Sequence, residues 1–506
     1  MSTSTLISRA GIVLAAVLAL AGSPGRADKF VYRDEAGQRV EVEARVAGST
    51  GKLGALELAD GQLKLLPAAA LEKRDRDDGP EPMAPEAMAA DLQRQFGAER
   101  FRSSVQMPFL MGLVLSGPMP RGSEARATNL LQQVAAFMKN VDSAFSRYVK
   151  EARIPAKPAR FPMVVLIFES RADFEKNLTP LLEGTSLSSK QIRGYYSMLT
   201  NRLVLCLDEC RTFDVALHEA IHQQVYNRNV LQRLAPIPHW FDEGIATGFE
   251  ANQGKINVGP GKISLRYADQ ALKGSKLSWR QMLVEDEAFD QSDLVSEAYG
   301  NAWGLHWLLA TKYRSQYGEY LRRLAQKKTL AKDTPEQRLE DFRQSVGKDP
   351  EDLQKEFVPV LQAAVRKQKV SRPAERPPGF ATRSDNQGEV KLYVVRVLGQ
   401  QSIAERSRID THGTITNLSP LRSLTFRVVM EHSSGENIEW VVPDLGMMKS
   451  SPLRPQSIPL EPKLPSGESP RAPANTFRIL IESALPNSPE AQNWQAGKPA
   501  GTAKSK

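Results

Sequence analysis

Two histidines four positions apart, in the run His218-Glu219-Ala220-Ile221-His222, constrain this chain more than any other feature. On a helix, positions i and i+4 share a face, so both imidazoles can reach a single ion about 2 Å away. The motif therefore demands a helix, and its surroundings agree. Phe213, Leu217, Ile221 and Val225 recur at every fourth position as one buried stripe would, and Thr212 or Asp214 can cap the start. Asn227, Arg228 and Asn229 end the pattern, and Pro236 and Pro238 hold a loop before the next helix. Glu243 follows His222 by 21 residues in Trp240-Phe241-Asp242-Glu243-Gly244. Two imidazoles and one carboxylate leave a tetrahedral zinc ion with an open corner, the mark of a catalytic rather than a structural site. Glu219 lies beside the pair, where a carboxylate takes a proton from water instead of binding the ion.

The stretches ALHEAIHQQVYN, PHWFDEGIATGFE and YGNAWGLHWLL together resemble the gluzincin branch of the His-Glu-x-x-His metallopeptidases, over roughly residues 100 to 330. The nearest likeness is to a secreted bacterial group with a Trp-x-x-Glu-Gly-x-Ala ligand helix. The resemblance implies zinc on His218, His222 and Glu243, with Glu219 as general base and acid. Gly244 would let the ligand helix pack closely on the first helix. Many gluzincins carry an aspartate four residues beyond the glutamate ligand, as a partner for a histidine, and Thr247 stands there in this chain. Glu250 is an alternative partner or a solvated charge, and the solvated charge is the favoured reading. By periodicity, Tyr299, Trp303, His306 and Ala310 form the aromatic stripe of a core helix, with Asn301 exposed. The resemblance adds a role: a tyrosine or histidine downstream of the ligand helix donates to the tetrahedral intermediate, which points to Tyr299 first and His306 second.

The N-terminus reads as an export signal. Arg9 precedes an apolar run from Ala10 to Ala21, and Gly25-Arg26-Ala27 resembles a cleavage site. The run is shorter than the roughly 20 residues of a membrane-spanning helix. Cleavage removes Arg9 and Arg26 and no acids, so the formal charge falls from +9 to +7. No dense basic block with interleaved aromatics occurs, so the charge reads as solubility or affinity for anionic surfaces, with envelope association open, rather than nucleic acid as a partner. The two cysteines, Cys206 and Cys210, are either a disulfide or buried thiols.

The chain is long enough for several domains. Alternation at Val40, Val42, Ala44 and Val46 announces a small β module. Its runs KFVYRDEAGQRVEVEARVAG and LGALELADGQLKLLPAAAL resemble the homology-one module of Sla-type endocytic adaptors. Leu130, Val134, Phe137, Val141, Ala144 and Tyr148 share one face of a long helix over 123–151, facing a sheet built from 163–168, 195–199 and 203–207. Gluzincin resemblance implies that the edge strand of this sheet borders the cleft. Strands at 390–398, 424–430, 438–442 and 477–481 form a β-rich accessory domain interrupted by a proline-rich loop over 452–473, in which His412 and His432 read as surface or turn residues.

The expected organisation is α+β and multidomain: signal peptide 1–27, β module 28–71, linker 72–95, gluzincin-like peptidase domain 96–368, linker 369–388, accessory domain 389–485 and disordered tail 486–506. The expected activity is that of an exported zinc metallopeptidase acting on a peptide or protein substrate, periplasmic, cell-surface or secreted, and not an integral membrane protein after signal cleavage. The rival reading is a zinc-retaining, non-catalytic envelope-binding protein, although such a protein has no need of a base beside its metal.

Overall fold

The computed structural model describes residues 28–33, 37–74, 80–182, 192–207, 210, 213–250, 256–257, 259–289, 294–367, 380–384, 387–397, 407–432, 435–460 and 477–497. The expected signal peptide lies outside them. The fold is α+β, with a small N-terminal sheet, a central mixed sheet wrapped by helices, and a C-terminal β-rich region. No helix of the described residues is long and apolar enough to cross a membrane.

Strands β1 (Asp28–Arg33), β2 (Arg39–Ser49), β3 (Leu53–Leu58), β4 (Leu63–Pro67) and β5 (Leu71–Arg74) form an antiparallel sheet in the order β4-β3-β2-β1-β5. The alternating residues of β2 pack on Phe30, Tyr32, Leu56 and Leu66. So small a core gains from leaning on a neighbour. Leu63 donates its backbone N–H to Leu199 O at 2.7 Å, and the buried Glu57 accepts from Arg160 and Arg233 at 3.0 Å each.

The central unit opens with α1 (Pro85–Phe96), β6 (Phe101–Gln106), β7 (Phe109–Val114), α2 (Glu124–Glu151), β8 (Met163–Phe168), α3 (Arg171–Leu182), β9 (Gly194–Ser197) and β10 (Arg202–Cys206). The sheet order is β6-β7-β8-β10-β9, with β8 parallel to β7 and β10 and both outer pairs antiparallel. An unbroken apolar run suits a strand covered on both faces. Met163, Val165 and Ile167 of β8 accordingly join the core under α2, while Val164, Leu166 and Phe168 join the core that includes Met88 and Leu92 of α1. The hairpin leaves β9 at the sheet edge.

Helices α4 (Asp214–Asn227), α5 (His239–Thr247), α6 (Leu265–Leu272), α7 (Trp279–Val284), α8 (Val295–Lys312), α9 (Arg314–Ala325), α10 (Pro335–Val346) and α11 (Pro350–Lys367) complete the unit. Helix α8 is buried almost all round, with Trp303, Leu305 and Leu308 fully enclosed, and both α5 and α6 pack on it. The C-terminal region pairs an antiparallel sheet β11-β12-β13-β16 (Phe380–Ser384, Gly388–Val397, Ser407–Asn417, Ser450–Leu460) with β15-β14-β17 (Asn437–Leu445, Leu424–His432, Phe477–Ala484) around Leu392, Phe426 and Met430. A buried ion pair between Arg422 and Glu169 at 2.6 Å joins it to the central unit.

Several segments differ from expectation. Residues 85–95, expected in a linker, belong to α1, because Met88 and Leu92 are one turn apart and both find apolar cover. Residues 380–384, also expected in a linker, form β11. Residues 450–460, expected partly in a proline-rich loop, form β16, which pairs with β13 on the sheet edge where proline is tolerated. In the expected tail, α12 (Pro489–Gln495) buries Trp494. Asn301 is buried, accepting from Trp279 Nε1 at 3.1 Å and donating to Ser275 at 2.7 Å. His432 is likewise buried. Cys206 and Cys210 are buried and not joined by a disulfide.

Candidate metal centre

Helix α4 begins after Phe213, whose left-handed backbone (φ 58°) turns the chain and whose ring stacks on Phe137 at 4.2 Å. Asp214 occupies the first turn rather than the cap. Ala216, Leu217, Ala220, Ile221 and Val225 anchor α4 in the core. One turn apart on this anchored helix, His218 and His222 bring their Nε2 atoms to 3.1 Å. Helix α5 delivers Glu243 to the same point, with Oε2 at 2.9 Å from His218 Nε2 and 3.8 Å from His222 Nε2. The three potential ligand atoms all lie within 4.8 Å of one another.

Each histidine is oriented from behind. His218 Nδ1 lies 3.0 Å from Glu250 Oε1, and Glu250 in turn accepts from Tyr267 OH at 2.7 Å. His222 Nδ1 lies 3.2 Å from Asp242 Oδ1. A carboxylate on Nδ1 fixes the ring and directs the Nε2 lone pair forward. Glu250 is thus no solvated charge. Thr247 instead bonds its own helix, through Oγ1 to Gly244 O at 2.9 Å. Asp242 had no role by sequence reasoning, and the signal for it was slight: an acid adjacent to Glu243, about 100° round the helix.

The electrostatics match a cation site. Burial works against charge on His218, but Glu243 and Glu250 outweigh it and raise the imidazole to about 10. Burial likewise opposes charge on His222, yet Asp242 and Glu243 hold it well above its ordinary value. Burial would raise Glu243, whereas His222 and His218 keep it well below the usual carboxylate range. Groups so arranged could hold a metal ion by exchanging protons for it.

Glu219 points to a cleft of about 630 Å³ that also exposes His222, Glu243 and Tyr299. Its Oε2 accepts the Tyr196 backbone N–H of edge strand β9 at 2.8 Å. Burial, the largest influence, raises the Glu219 carboxyl above its ordinary value. The Tyr299 ring lies 6.0 Å from that of His218, and burial together with Glu243 and Glu219 keeps its phenol protonated well beyond the usual range. His306 is elsewhere. It is fully buried between Trp240 and Phe241, bonded to Tyr317 OH at 3.1 Å, and it packs on Gly244. The bare Gly244 therefore admits α8 rather than α4: a Cβ there would lie 2.2 Å from His306 Cδ2 and 2.9 Å from Ala302 O.

Residues 214–331 are similar to a family described as proteins of unknown function (DUF1570), and this stretch holds His218, Glu219, His222, Glu243, Glu250 and Tyr299. No curated protein matches the chain.

Proposed function

We propose that the chain is an exported zinc-dependent metallopeptidase of the gluzincin type. The carrying observation is the convergence of His218, His222 and Glu243 within 4.8 Å, next to Glu219 in an open cleft. The donor set suits zinc: two imidazoles with carboxylate-bonded Nδ1 atoms and one carboxylate. Held by His218, His222 and Glu243, a zinc ion would supply Lewis-acid chemistry at a carbonyl and make water more acidic near neutral pH. Glu219 takes the proton of the attacking water and returns it to the departing amine, and the Tyr196 N–H holds its carboxylate in place. Tyr299, kept protonated, donates its hydroxyl to the oxygen that gains charge. Export rests on the N-terminal apolar run, and placement in the periplasm, at the surface or outside the cell is part of the same reading.

The test is the Glu219→Gln variant. It keeps the size of the side chain and removes the base, so bound zinc, read by elemental analysis, should stay at about one per chain. Cleavage of a mixed peptide library should fall by at least about a hundredfold. Equal cleavage by both proteins, or none by zinc-loaded wild type, would favour the non-catalytic zinc-binding alternative.

A further inference from the structure

The lining of the cleft is of two kinds. Beside the ionisable groups, it presents an apolar surface assembled from distant stretches: Leu65 of β4, Met198 after β9, Leu234 and Ile237 between α4 and α5, and Leu330 between α9 and α10. Leu65, Met198, Leu234 and Leu330 are only half-buried, unlike core residues of their type.

Two of these leucines carry backbone strain. Leu234 has φ 56° and Leu330 φ 63°, the left-handed region that a leucine rarely enters. The Leu330 N–H donates to Leu234 O at 2.9 Å, so the strained residues hold each other. Their neighbours brace them. Arg233 donates to Glu57 at 3.0 Å, Gly61 O at 2.8 Å and Met198 O at 3.1 Å. Thr329 Oγ1 donates to Arg233 O at 2.9 Å, and Thr329 packs against Gly48, where a Cβ would come within 2.5 Å of its carbonyl. One largely buried arginine thus ties the N-terminal sheet to the Met198 segment and to both strained loops. Strain of this kind persists only where the surroundings over-determine it, and here both strained leucines line the cleft.

We propose that Leu65, Leu234 and Leu330 form a subsite for an apolar side chain adjoining the scissile peptide bond. The N-terminal sheet is then part of the specificity machinery, and Leu65, outside the stretch shared with the family, is one of its determinants. Asp242, Glu243 and Glu219 in the same cleft repel an acidic side chain. This inference rests on the peptidase reading above.

The test uses the full mature chain loaded with zinc and a set of quenched fluorescent peptides, varied one residue at a time on each side of the cleaved bond. Leucine or phenylalanine at one of these positions should exceed glycine or aspartate by about ten- to a hundredfold in kcat/KM. Leu65→Ala and Leu330→Gly should each cut that preference several-fold. Glycine adopts a φ of 63° without strain, so Leu330→Gly should keep its thermal midpoint and separate lost selectivity from lost folding. Cleavage by wild type without an apolar preference, or a preference unchanged in both variants, overturns the subsite alone. If zinc-loaded wild type cleaves no peptide, the peptidase reading fails and takes the subsite with it.

Discussion

Gly244→Ala should loosen the candidate metal centre from a position outside the His218, His222 and Glu243 cluster. The new Cβ would lie 2.2 Å from His306 Cδ2, 2.8 Å from His306 Nε2 and 2.9 Å from Ala302 O. Carbon atoms pack at about 3.5–4.0 Å, so the ring must move by more than about 1 Å. It has little room, because Trp240 and Phe241 flank it and Tyr317 OH holds Nδ1. The third contact is backbone, so α5 and α8 must also part. Overpacking of this kind costs about 3 kcal/mol at the upper end, and alanine returns about 1 kcal/mol as the better helix former. The net loss of about 2 kcal/mol should lower the thermal midpoint by about 4–8 °C. Since Gly244 follows Glu243 on α5, a tilt of that helix also displaces Glu243, and affinity for the proposed zinc should fall. Calorimetry and a zinc competition titration read the two effects. Pairing Gly244→Ala with His306→Ala should recover part of the stability through coupling between touching sites. If Gly244→Ala is as stable as wild type, the helix contact does not have the closeness argued here.

Three further outcomes are expected. Glu250→Gln weakens the orientation of His218, so affinity for the proposed zinc should drop about ten- to a hundredfold, whereas Thr247→Ala should leave it near wild type; the reverse ranking would sink this assignment. On the proposed mechanism the Tyr299 hydroxyl acts mainly in the transition state, so Tyr299→Phe should lower kcat about a hundredfold with little change in KM, and full turnover would exclude it. Burial lowers His306 to about 3, so between there and the ordinary value of 6.5 the unfolded chain binds the proton first. The stability that the neutral ring contributes is present above about 6.5 and is lost, by up to about 1.4 kcal/mol per pH unit, as pH falls towards 3. Acid unfolding of His306→Asn should lack that component, and identical pH profiles would contradict it.

The elements that carry the site were legible because their signals are short-ranged. A histidine pair at i and i+4 and a stripe from Leu217 to Val225 specify α4 without reference to anything distant, and β8 announces burial on both faces by its composition. The hairpin around 194–206 followed from two apolar runs about a turn, whereas 424–430 and 438–442 were legible as strands and their pairing came only from the structure. Signals failed where composition misled: prolines in β16 suggested a loop, although an edge strand tolerates them, and the charged stretch before α1 hid a helix whose apolar face needed the sheet to meet it.

What α4 and α5 do to each other was decided only by the tertiary structure. The choice of Glu250 over position 247 as partner for His218 depends on where the chain goes after α5 ends, and Asp242 reaches His222 only through the angle between two helices. The same holds for Gly244 meeting α8, for the Tyr196 N–H holding Glu219, and for Leu65 entering the cleft from the N-terminal sheet. Local periodicity fixes which face of an element is buried. Contacts between segments far apart in the chain depend instead on how all those faces pack into one core.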